Sequence, residues 1–156
     1  MKYIVLAAAV VLAILYFVKS SSNKKAAAEN IAIAEAFLTK NKAEEGIVET
    51  ASGLQYQILQ KGEGNTHPTA SSKVKVHYHG TLLDGSVFDS SVERNEPISF
   101  PLNGVISGWT EGVQLMVVGD KFKFFIPSKL GYGNRAAGKI TPGSLLIFEV
   151  ELLEIQ

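Results

Sequence analysis

The sequence contains no cysteine, which excludes disulfides, thiolate nucleophiles and Cys-ligated zinc. It carries no net charge, since 15 Lys and Arg stand against 15 Asp and Glu. The two signs stay nearly balanced on either side of residue 53, so no basic face is offered to nucleic acid, and none is expected as a partner. There is one tryptophan and there are three histidines, so a site built on either has few candidates. Long apolar runs are missing with one exception, "YIVLAAAVVLAILYFV" at residues 3–18, bounded by Lys2 and Lys19. As a helix it covers about 24 Å, short of a hydrocarbon core of about 30 Å, and flanking lysine stems can bridge the shortfall. It reads as an uncleaved membrane anchor or as an export signal. The small-residue site at Ala26 to Ala28 lies beyond Lys19, Lys24 and Lys25, which is unsuited to cleavage and favours the anchor.

At 156 residues the chain has room for one domain and an appendage. Residues 20–25, "SSSNKK", read as a polar linker. A helix then runs to Gly46 with Ala27, Ile31, Ala34 and Leu38 on one narrow apolar stripe, as a spacer resting on the domain or, alternatively, a weak dimer contact. From Ser52 the texture changes to short alternating runs broken by glycine and proline. Leu54, Tyr56 and Ile58 alternate, as do Val74, Val76 and Tyr78, then Phe122, Phe124 and Ile126, and "LLIFEVELLEI" closes the chain in the same way. In "VISGWTEGVQLM" Ser107 is placed to cap a short helix that puts Trp109, Val113 and Met116 on one face. The fold class is therefore α+β: a curved antiparallel β-sheet wrapped around one short α-helix, preceded by an N-terminal hydrophobic helix and a spacer helix.

The stretch "VKVHYHGTLLDGSVFDSS", residues 74–91, raises a metal site, because His77 and His79 precede Asp84 and Asp89. Strand alternation argues otherwise. Val74, Val76 and Tyr78 share one face, and the histidines share the other with Lys73 and Lys75, toward solvent. A metal needs a third ligand and a drier setting, so no metal and no cofactor is expected. Tyr78, on the inner face, joins Phe88, Phe100, Trp109 and Phe148 as aromatics that a curved sheet gathers into an apolar pocket or a plain core. Tyr132, in the glycine-flanked "LGYGN", is harder to read as core.

Four segments, "VHYHGTLLDGSVFDSS", "VISGWTEGVQLMVVGDK", "FIPSKLGYG" and "LIFEVELLEI", in this order and spacing, resemble the FKBP-type peptidyl-prolyl cis–trans isomerases, from about Gly53 to Ile155. The stretch "AEAFLTKNKAEEGIVETASGLQYQIL" is similar to the bacterial branch that includes the macrophage infectivity potentiator proteins, here with a shortened N-terminal region. The chain thus divides into a hydrophobic anchor or signal segment at 1–19, a linker and spacer helix at 20–52 and, as the resemblance implies, an isomerase domain at 53–156. It implies a pocket with Trp109 as floor, Tyr78, Phe88 and Phe148 as walls, Val105 and Ile106 at one edge, and Ile98, Ile140 and Arg94 around it. Asp89 and Tyr132 take the catalytic positions. Ile98 stands where an aromatic is frequent, and Ala136-Ala137 fill a loop one residue shorter than in some relatives.

The activity implied is rotation of Xaa-Pro bonds in proteins, assisting folding, and the alternative is a proline-segment binding module or chaperone of the same fold with little turnover. Proline-containing polypeptides are the expected partners, FK506-like macrolides the expected inhibitors, and the chain a monomer or weak dimer. With residues 3–18 in the inner membrane the domain would face the periplasm. A cleaved signal would leave it soluble there, and the positive-inside rule favours a cytoplasmic domain.

Overall fold

The computed structural model describes the backbone of residues 2–156 and the side chains of residues 11–156. The N-terminal region is one helix, α1 (Lys2–Asn41), and not a hydrophobic helix, a linker and a spacer. No glycine or proline interrupts residues 2–41. The serines and Asn23 of "SSSNKK" each cost only about 0.5 kcal/mol relative to alanine, which the strong helix formers on both sides offset. The helix stops at Asn41 and the chain turns through Gly46, whose φ is 82°. The apolar run at 3–18 lies partly outside the residues whose side chains are described. Among the described residues no helix is long and apolar enough to cross a membrane.

Among the described residues, seven strands form one antiparallel sheet: β1 (Ile47–Glu49), β2 (Gln55–Gln60), β3 (Lys73–Thr81), β4 (Val87–Ser90), β5 (Ile98–Pro101), β6 (Lys121–Ile126) and β7 (Leu146–Ile155). Their order is β1-β2-β6-β7-β3-β4, with β5 also on β3. One side of β3 is thus shared. Its first half pairs with β5, Val74 opposite Phe100, and its second half with β4, His79 opposite Ser90. That handover lets the sheet curl. Two short helices fill the remaining connections, α2 (Ser91–Arg94) and α3 (Ser107–Val113). Ser107 is the first residue of α3, and the cap position belongs to Ile106, without a side-chain bond.

The alternation seen in the sequence sets the inner face. Val74, Val76 and Tyr78 of β3, Phe122, Phe124 and Ile126 of β6, and Phe148, Val150 and Leu152 of β7 are all buried against Trp109, Val113 and Met116. The outer face is dry in one place. Phe125, of opposite parity on β6, is buried by Phe37 of α1 at a ring separation of 5.8 Å. Gln55 beside it is fully buried, and its amide is satisfied by Asn41 Nδ2, the Leu38 carbonyl and Glu49 Oε2, each at 2.8–2.9 Å. A buried amide with every group paired is a directional joint, since any displacement leaves a costly orphan. The stripe carrying Ala27 and Ala34 is the face that α1 buries, so the C-terminal half of α1 is a fixed part of the domain.

Candidate active site

The inward residues of β3, β4, β5, β7 and α3 leave one large cavity, of about 820 Å³. Trp109, 5% exposed, forms its floor. Tyr78 and Phe148 meet the indole edge-on, each with ring centroids 5.1 Å away and planes at 84°. Phe88 continues the wall against Phe148 at 5.2 Å and 88°, and Phe100 lies 5.4 Å from Trp109. Edge-to-face contacts of this kind are worth about 0.5–1.5 kcal/mol each beyond the area they bury. Gly80 makes room for them, because a β-carbon there would sit 2.7 Å from both the Phe148 and the Phe88 ring. The indole Nε1 is the one buried side-chain nitrogen or oxygen among the described residues without a hydrogen-bond partner.

Neighbours on a regular strand point to opposite faces, yet Phe88 and Asp89 both line the cavity. The cause is a bulge. Gly80 pairs with Asp89 and Thr81 with Val87, which leaves Phe88 as an extra residue with no partner of its own. A bulge of this kind re-aims a side chain. One residue on, Ser90 caps α2 by accepting from Glu93 N at 3.1 Å, and Asn95 ends it in the left-handed region at φ 52°. The single turn brings Arg94 back over Asp89.

The resulting cluster is closed. Tyr78 donates its hydroxyl proton to Asp89 Oδ2 at 2.5 Å, Arg94 Nη1 donates to Asp89 Oδ1 at 2.5 Å, and Arg94 Nη2 donates to the Tyr78 oxygen at 3.2 Å. Burial pushes the Asp89 carboxyl up, but the bonds from Tyr78 and Arg94 outweigh it and hold the group below the ordinary carboxylate value. Burial, followed by the bond to Asp89, raises the Tyr78 hydroxyl. The same two partners raise Arg94 further. The three groups are therefore fixed as carboxylate, phenol and guanidinium at neutral pH.

Val105 and Ile106 form one lip of the cavity, and the Ile106 N–H donates to no group among the described residues. Ile98 and Ile140 line the sides, and Tyr132 stands half-buried at the rim. Of the site residues the resemblance implies, Arg94 alone does not line the cavity; it touches Asp89 and Tyr78. Phe100, grouped with the inward aromatics but given no site role by the resemblance, lines it, as do Arg135 and Lys139, which were not singled out. Phe100 had a signal, standing two residues beyond Ile98 on the same strand. The two cations lie in a glycine-rich loop that has no periodicity to read.

The histidines lie outside this cavity, on the opposite face of β3, but they are half-buried and bonded where solvent was expected. His77 Nδ1 meets Ser91 Oγ at 2.6 Å and His79 Nδ1 meets Ser90 Oγ at 2.8 Å. These are the serines at the start of α2, so the pair supports the segment that carries Asp89 and Arg94. Asp84 is a turn residue, with Oδ1 accepting from Ser86 N at 2.8 Å and Ser86 Oγ at 2.6 Å.

Comparison with known proteins places this geometry. Residues 64–153 match the family described as FKBP-type peptidyl-prolyl cis-trans isomerase, and residues 8–58 the domain amino terminal to FKBP-type peptidyl-prolyl isomerase. The chain is 58% identical over 130 residues to the FKBP-type peptidyl-prolyl cis-trans isomerase FkpA of Aeromonas hydrophila, covering 83% of this chain and 48% of that one. It is 53% identical over 120 residues to the FKBP-type 22 kDa peptidyl-prolyl cis-trans isomerase of Escherichia coli, covering 76% of this chain and 58% of that one. It thus spans about half the length of these curated relatives. Among solved structures it resembles that of Escherichia coli FkpA, with a TM-score of 0.85 at 42% identity, covering 94% of this chain and 70% of that one. It also resembles a peptidyl-prolyl cis-trans isomerase of Pseudomonas syringae, with a TM-score of 0.76 at 38% identity, covering 82% and 94%.

Proposed function

This chain belongs to the FKBP-type peptidyl-prolyl cis-trans isomerases, and we propose that it accelerates rotation about Xaa-Pro bonds in polypeptides during folding. The observation that carries this reading is the aromatic cavity floored by Trp109 with the Tyr78–Asp89–Arg94 cluster set into its wall. Rotation breaks no covalent bond, so no nucleophile and no metal is required. The barrier of about 18–20 kcal/mol is the amide resonance lost as the C–N bond twists. The twisted amide is less charge-separated than the planar one, so transfer into a dry aromatic cavity favours it over the ground state. A proline ring seated on Trp109 between Tyr78, Phe88 and Phe148 is gripped and desolvated together. The Tyr132 hydroxyl is the donor for the redirected carbonyl oxygen, and the Asp89 carboxylate, which can only accept, acts on the electron-poor carbonyl carbon. Ile106 N–H is free to hold the substrate chain as a strand would. A ten-thousandfold acceleration needs only about 5–6 kcal/mol of differential stabilisation. The same cavity is expected to take FK506-like macrolides.

Refolding of a protein limited by a proline isomerisation, a phase of about 10–100 s, tests the reading. Catalytic amounts of the full chain should shorten that phase severalfold. A chain that only grips proline segments would slow it, and only at stoichiometric amounts.

A tether at a membrane is the further part of the reading. Leu12, Leu15, Tyr16, Phe17 and Val18 are each more than half exposed, so α1 presents apolar surface at residues 12–18 that the described residues leave open. The full chain is expected to float with liposomes, and residues 24–156 to stay at the bottom of the gradient. Recovery of both species at the bottom would remove this part.

A further inference from the structure

The loop at 131–145 leaves the sheet after β6, contributes Tyr132, Arg135, Lys139 and Ile140 to the cavity, and returns into β7. Its internal bonds are turns of its own: Ala137 and Ile140 exchange two backbone bonds of 2.9 Å, Arg135 N donates to Tyr132 O and Ser144 N to Thr141 O at 3.2 Å, Gly143 N donates to Gly133 O at 2.8 Å, and the Thr141 and Ser144 hydroxyls meet at 2.7 Å. Its outer side rests on α1. Asn30 Nδ2 donates to the Pro142 carbonyl at 2.8 Å and lies 3.2 Å from Thr141 Oγ1. One turn earlier Ala27 is 1% exposed against Gly143. Gly143 has φ 74°, and a β-carbon on it would come within 2.4 Å of the Ala27 carbonyl oxygen, so helix and loop approach as closely as backbones can.

Asparagine is a poor choice inside a helix on propensity alone. What it supplies is a donor. Pro142 is buried, its carbonyl needs a partner, and Asn30 gives it one. Thr141 and Pro142 directly follow Ile140, whose side chain is 5% exposed in the cavity wall, and Gly143 ties back to the residue after Tyr132. A continuous chain of contacts therefore runs from α1 to two of the cavity's lining residues. The opposite wall, with Tyr78 and Asp89, is held by β3 and by the α2 turn through Ser91 and Arg94.

We propose that Asn30 is a positioning residue, through which α1 holds the 131–145 loop in the shape that the substrate chain meets. This rests on the cavity being the proline site. Ile140 touches bound chain in ground state and transition state alike, so loosening the loop should act chiefly on KM.

The test compares the full chain with Asn30→Ala and Asn30→Asp, the second matching asparagine in shape but lacking the donor. Two readouts are taken: amide hydrogen exchange, and kcat and KM on a proline tetrapeptide, together with the peptide's Kd. Both variants are expected to speed exchange at 133–143 about tenfold without moving β3 and β7, and to raise KM and Kd about threefold with a smaller change in kcat. Unchanged exchange in the loop would overturn the brace. Faster exchange with unmoved KM and Kd would overturn its role in substrate engagement. If the chain showed no turnover at all, the isomerase reading would fail on its own, and exchange with peptide Kd would still decide the brace.

Discussion

Replacing Trp109 by alanine is expected to cost about 3–5 kcal/mol of folding stability and to remove detectable turnover. The indole is in edge contact with Tyr78 and Phe148 and in tilted contact with Phe100, so its loss leaves a cavity at the centre of three aromatic packings. A domain is typically stable by about 5–15 kcal/mol, so the alanine variant can lose most of its margin. Trp109→Leu keeps apolar volume and is the cleaner probe. It should fold, with a urea midpoint below that of the parent, and still lose most turnover because the flat floor under the proline ring is gone. The unpartnered Nε1 bears on the comparison with Trp109→Phe, which removes an orphan donor along with some packing. That variant should therefore lose less stability than ring volume alone implies. Equilibrium unfolding in urea and a peptide assay on the same preparations check all three.

Asp89→Ala is expected to act in the opposite proportion, lowering kcat/KM about ten- to thirtyfold, or about 1.4–2 kcal/mol of transition-state stabilisation. Its stability effect should stay within about 1 kcal/mol. The Asp89 and Arg94 side chains are 46% and 47% exposed, and a pair open to water adds little to folding. What Asp89 provides is orientation, and Arg94→Ala separates the two uses of the carboxylate. If Asp89 only braced the α2 turn, both variants would lose the same turnover; if it faces the substrate, Arg94→Ala loses less.

The pH profile carries the same assignment. The Asp89 carboxyl lies below its ordinary 3.8, so the contribution of its charged form is whole above that value and disappears only as pH falls through the lower folded one. Tyr78 lies above its ordinary 10.0, so its donated proton is kept until pH rises beyond that. Turnover should be level between these limits. A midpoint near neutrality would assign the chemistry to another group.

Much of this could be read from residue order because it rests on local periods. Val74, Val76 and Tyr78 alternate, so the inner face of β3 follows from strand geometry, and Trp109, Val113 and Met116 share a helix face in the same way. Residue type and spacing left the inward aromatics as a pocket or a plain core, and their places as floor and walls came from the family resemblance. What stayed hidden depends on pairing between distant segments. Phe88 and Asp89 reach the same side only because β4 is bulged against β3, a property of the register of two strands. Phe125 and Gln55 have outward parity, and only the docking of α1 buries them. His77 and His79 point away from the cavity, as alternation requires, but the serines that hold them arrive from the next hairpin. The polar stretch "SSSNKK" looked like a linker because serine and asparagine favour turns, and the helix runs through it because its neighbours are strong helix formers. Asn30 gave no signal at all, since its partner is a carbonyl more than a hundred residues away.

Exchange spectroscopy by NMR on a short Xaa-Pro peptide, with the full chain at catalytic amounts, tests the central claim most directly because it reports rotation and binding in one experiment. The account predicts cis–trans cross-peaks at mixing times near one second, where the unaided peptide needs about 10–100 s, and their loss with Trp109→Leu. Peptide resonances that shift on addition of the chain while the cross-peaks stay absent would contradict it, leaving a protein that holds proline without turning it.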